Sequence, residues 1–151
     1  MLDLWPNSLD SLPLDRAPVT ILREQASLLG RKTNNLLEGE VIQIEPFDAA
    51  DPEFTYRFNI VAPALGNYRY GLFMIFHAIT LYPVRFRVDE DVRTELAVGV
   101  ESQGRIPVAE DETQFVDILR QILASTKTQR VIAGLLTQMR GSNGMVPAGS
   151  A

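Results

Sequence analysis

His77 is the only histidine among 151 residues, and the chain contains no cysteine. Any imidazole general base or nucleophile–histidine pair must therefore use this one ring. No aspartate or serine lies close to it in sequence, so a carboxylate partner would have to come from elsewhere, from Asp89, Glu95 or Glu101. His77 is the single catalytic candidate, and a structural ring, hydrogen-bonded inside the fold or at an interface, is the expectation. The missing cysteines remove disulfides, thiolate-bound zinc, iron–sulfur clusters and thiol nucleophiles together. One histidine cannot build a His-rich zinc centre. The acidic run Asp89-Glu90-Asp91 lacks the glycine and spaced ligands of a calcium loop and reads as a solvated turn. No metal and no cofactor is expected. Gly30-Arg31-Lys32-Thr33 follows a helical pattern instead of joining a strand to a helix, so it fails as a phosphate loop, and GxSxG, GxGxxG and HExxH are absent. An enzyme is the less expected class.

The second group with chemical capacity is a set of arginines interleaved with aromatics: Tyr56-Arg57-Phe58, Tyr68-Arg69-Tyr70 and Arg85-Phe86-Arg87. A base-stacking platform needs aromatics and arginines on one face, whereas strand alternation puts them on opposite faces. The formal charge of -5 also opposes binding to nucleic acid or an anionic membrane. Arg57, Arg69, Arg85 and Arg87 are expected to pair across strands with Glu45, Glu95 or Glu101, or to form a pocket for an acidic partner segment.

Positioning these residues requires a sheet. Residues 1–17 mix leucine with proline and aspartate and read as an extended arm, packed on its own domain or docked on another protein. From Pro18 the period is helical, with Val19, Leu22, Ala26 and Leu29 on one stripe and Gly30 as the stop. Period-two patterns then predict strands over 40–45, 53–62, 68–80 and 82–89, with Gly71 as a possible bulge, and a fifth over 95–101 carrying Leu96, Val98 and Val100. Asp111 and Gln114 have capping-box spacing at the start of a helix, Ser125 marks a break, and a second helix follows to Gly141. Residues 18–140 are thus one domain, with 141–151 a flexible, Gly- and Ser-rich tail. The fold class is α+β: a five-stranded antiparallel meander with one N-terminal helix and two C-terminal helices.

Strand parity places Phe54, Tyr56, Phe58 and Ile60 against the helices with Tyr68, Tyr70, Leu72, Met74, Phe76, Val84 and Phe86. The arginines then share the other face with Phe73, Ile75, His77 and Ile79. A strand apolar on both faces calls for helices on both sides, another subunit, or a ligand groove lined by Phe73, Ile75 and Ile79. The opening residues lack a secretory leader's basic start and apolar run, and 72–81 is too short to span a bilayer. A cytoplasmic setting is expected. The reading is a small protein–protein interaction or accessory module, chaperone-like or immunity-type, expected to self-associate and open to binding another protein, through Arg57, Arg69, Arg85, Arg87, Phe73 and Ile75. The alternative is a small-molecule-binding or enzymatic domain with a pocket around His77 and Tyr68 or Tyr70 nearby.

Overall fold

The computed structural model describes residues 1–45, 53–96 and 106–145. A 15-residue helix, α1 (Pro18–Lys32), precedes four strands, β1 (Glu38–Ile44), β2 (Phe54–Ala62), β3 (Tyr68–His77) and β4 (Val84–Arg87). A short helix α2 (Glu90–Glu95) leads to β5 (Val108–Ala109), and α3 (Glu112–Leu123) and α4 (Thr126–Met145) complete the chain. The strands form one antiparallel sheet in sequence order, so the α+β meander expected from the sequence is the architecture observed.

Helix α1 starts on Pro18, whose missing N–H costs nothing there, and buries Ile21, Leu22 and Ala26. It runs two residues past Gly30. Asn34 and Asn35, both at positive φ, then reverse the chain, a conformation asparagine tolerates better than most residues. The helix lies so close to β1 that a Cβ on Gly39 would stand 2.4 Å from the Cα of Ala26. Only glycine permits that approach.

Strand β3 carries the feature that rearranges the expected faces. Phe58 pairs with Phe73, but Asn59 pairs with Gly71, so Leu72 is an extra residue opposite the β2 ladder. This is a β-bulge beside the glycine that predicted one. An inserted residue reverses the side of everything after it. Tyr68 and Tyr70 face the helices with Ala62 and Ile60, and beyond the bulge Phe73 and Ile75 do so too, opposite Phe58 and Tyr56. The expected placement of Phe73, Ile75 and His77 on the arginine face is therefore corrected: Phe73 is 3% exposed and Ile75 0%. Met74 and Phe76, expected inside, lie on the arginine face. The core is a run of rings from sheet to helix, Phe58 on Phe73 at 5.3 Å, Phe73 near Phe86 at 6.2 Å, and Phe86 on Phe115 of α3 at 5.3 Å.

The expected start of the fifth strand is corrected as well. Residues 90–95 are helical, with Val92 and Leu96, four apart, buried on one side, and 97–101 lie outside the described residues. The strand beside β4 is Val108–Ala109. Helix α3 is capped as its sequence predicts, the Asp111 carboxylate accepting from Gln114 N–H at 2.8 Å, although the Gln114 amide accepts from Glu110 N–H and not from Asp111. The break at Ser125 is present. Helix α4 is capped by the Ser125 hydroxyl, which accepts from Thr128 N–H, and by Glu95, which accepts from Thr126 N–H at 2.9 Å. The helix continues four residues past Gly141, and 146–151 lie outside the described residues.

Candidate functional site

The helices pack on one face of the sheet, and among the described residues none covers the other. On that open face each strand contributes alternate residues, and the register aligns them in rows. One row runs Ile42, Arg57, Met74, Arg87, and the next runs Ile44, Thr55, Phe76, Arg85, Val108. A third, nearer the start of β1, holds Glu40, Asn59 and Gly71. An apolar strip of Ile42, Ile44, Met74 and Phe76 is thus set among guanidinium groups.

The arginines divide into paired and unpaired. Arg85 donates from one guanidinium nitrogen, Nη2, to both oxygens of the Glu53 carboxylate at 2.6 Å, a charge-assisted pair. Arg69 donates to Glu40 at 3.0 Å, and Asn59 donates to the same oxygen at 3.0 Å. The Asn59 amide first, and Arg69 second, hold the Glu40 carboxyl below its usual range. The partners differ from those expected: Glu53 and Glu40 serve the arginines, Glu95 caps α4, Glu45 makes neither contact, and Glu101 lies outside the described residues. Arg57 and Arg87 have no ion-pair partner among the described residues. Arg87 lies 6.0 Å from the Phe76 ring centroid and Arg85 5.5 Å, so that ring is flanked by two cations.

His77 ends β3 on the helix side, 4% exposed. Its ring is stacked with Phe54 at 5.5 Å and Tyr56 at 5.9 Å, and Nδ1 contacts the Ala78 carbonyl at 2.7 Å, while Nε2 has no hydrogen-bond partner among the described residues. Asp89 is engaged elsewhere, with the Tyr70 hydroxyl at 3.4 Å, and Glu95 is at the α4 cap. The structure therefore brings neither to the imidazole. Phe73, Ile75 and Ile79 do not line a common groove, because the first two are core and Ile79 is exposed. An apolar cavity of about 260 Å³ lies between α1, α4 and the sheet, bordered by Leu28, Phe58, Leu72 and Ile132, and none of the expected groove residues borders it. Among the described residues no cluster of three or more potential ligands could hold a metal, and no helix is long and apolar enough to cross a membrane.

The arm is the other surface feature. Leu2, Leu4, Trp5, Leu9, Leu12 and Leu14 are all exposed, Trp5 at 73% and Leu14 at 87%. Among the described residues, its hydrogen bonds to the rest of the fold are at its root. Arg16 N–H donates to Glu112 at 2.8 Å, the Tyr82 hydroxyl donates to the Arg16 carbonyl at 3.3 Å, and the Arg16 guanidinium pairs with Glu24. Burial first, and then the charges of Glu112 and Asp15, push the Tyr82 phenol up to about 12. Sequence reasoning missed Met74 and Phe76 as surface residues, and the signal that could have found them was Gly71, once its effect on parity is followed through. Comparison of the chain with protein-family models, with curated proteins and with solved structures found no match.

Proposed function

We propose that this protein is a small interaction or accessory module whose working surface is the open sheet face, and that the face takes an acidic, apolar protein segment. The observation that carries the reading is the row Ile42, Arg57, Met74, Arg87, in which two arginines without ion-pair partners among the described residues flank an apolar side chain. An antiparallel sheet with one wet face normally shows short or mixed polar residues there. Here thioether, aromatic and aliphatic groups lie beside guanidinium groups that have no carboxylate partner among the described residues, which suits a partner supplying both carboxylates and apolar side chains. The arginine face expected from the sequence is kept, with Met74 and Phe76 in place of Phe73 and Ile75. A cytoplasmic setting belongs to the same proposal and is supported by the absence of cysteine.

The test is a titration of isotope-labelled protein with a synthetic peptide alternating leucine with aspartate. The Met74 methyl signal and the side-chain Nε–H signals of Arg57 and Arg87 are expected to shift together. A peptide with lysine at the acidic positions should leave them in place. Arg57→Glu with Arg87→Glu should weaken binding at least ten-fold, since two charge pairs become like-charge contacts. Shifts confined to other surfaces, or equal shifts with both peptides, would overturn the reading.

A further inference from the structure

We infer that the segment held on the open face is the amino-terminal arm of a second copy of this chain, exchanged reciprocally in a two-fold dimer. This rests on the reading of the face given above. The chemistry of the arm is the complement of the face: residues 1–15 contain Asp3, Asp10 and Asp15 and no lysine or arginine, and seven large apolar side chains among them are exposed. A segment of that composition leaves its apolar surface in water unless a partner covers it. The face offers Arg57 and Arg87 for its carboxylates and Ile42, Met74 and Phe76 for its leucines.

The root of the arm selects a neighbour over its own sheet. Glu112 belongs to α3 and Glu24 to α1, both packed on the helix side, so the arm departs from the layer opposite the arginines. Reaching its own open face would require wrapping the sheet edge, whereas the face of a second copy needs no such turn. Length is ample. Fifteen extended residues span up to about 50 Å, and five strands about 20 Å across. Reciprocal exchange gives each subunit an arm of fifteen residues and a face of nearly ten, within the roughly 20–30 residues per side of a stable interface. The arrangement is isologous and closes on itself.

The test is the solution mass of the full chain by light scattering over a concentration series. The wild type is expected at twice 16.8 kDa. Asp3→Lys with Asp10→Lys in the arm, or Arg57→Glu with Arg87→Glu on the face, should each weaken the dimer at least ten-fold and give folded monomers. All these positions are exposed, so circular dichroism should not change. Combining the four substitutions should restore the dimer, because the charges again oppose. A monomeric wild type, a dimer indifferent to reversal of the arm, or a combined variant that stays monomeric overturns the inference. If the wild type is monomeric yet the leucine–aspartate peptide still shifts Arg57 and Arg87, only the arm assignment falls. If the peptide fails as well, the surface falls with it.

Discussion

At the scale of single residues, the side chains that matter most are those whose partners lie far away in sequence. Tyr82 is the clearest case, since its phenol meets the arm root and sits near Glu112 and Asp15. Its folded pKa is about 12, against about 10 in an unfolded chain. Because the folded value is raised, the stability linked to the neutral phenol is fully present below pH 10 and is lost as pH rises towards 12. In an alkaline absorbance titration Tyr82 should ionise late, well above the ordinary tyrosine value of about 10. Tyr82→Phe should remove the late component and reduce the loss of stability between pH 10 and 12. An alkaline titration left unchanged by Tyr82→Phe above pH 10 would contradict this account. Glu40 shows the opposite sign: its carboxyl is held down, so what it contributes is present above the unfolded value and fades as the solution is acidified through the folded one. Neither environment can be read from sequence, because Glu40 lies 29 positions from Arg69 and Tyr82 lies 66 from Arg16.

Among the elements, the α1–β1 contact carries the tightest constraint. Gly39 sits against the backbone of Ala26, and a methyl group there would lie 2.6 Å from the Ala26 Cβ as well. Gly39→Ala should force the helix off the strand and destabilise the protein by about 1–3 kcal/mol in a denaturant titration, the usual penalty for overpacking. An unchanged midpoint would mean that α1 slides freely over β1. Helix starts were the most legible elements, since proline at position one and a carboxylate three residues before a free N–H act locally. The fifth strand was the least legible. A two-residue strand has no period to detect, and the alternation at Leu96, Val98 and Val100 begins just after a helical turn whose signal is only the spacing of Val92 and Leu96.

For the whole molecule, the decisive feature is which side of the sheet each β3 residue occupies. Ile75→Glu would bury an unpaired charge at a fully covered position and should unfold the chain. Met74→Glu, one residue earlier on the open face, should leave circular dichroism and cooperative thermal unfolding nearly intact. The reverse outcome would return Ile75 to the surface and remove the bulge from the account. The same inversion dissolves the apparent puzzle of a sheet apolar on both sides: one side is core, and the other is a narrower strip of Ile42, Ile44, Met74 and Phe76 among arginines.

Composition and periodicity were enough to determine the class of this protein, its first helix and first four strands in order, the starts of its long helices, and the absence of cysteine and histidine chemistry beyond one ring. These follow from local sterics, capping and the burial of a repeating stripe, which act within a few residues. What the tertiary structure decided was the parity of β3, the partners of the arginines and the departure of the arm from the helix side. Residues 72–76 are apolar at every position, so a period of two carries no information about which face is inside. Only pairing with β2 reveals the extra residue, and only packing of α1 and α3 on one side shows which face is left open.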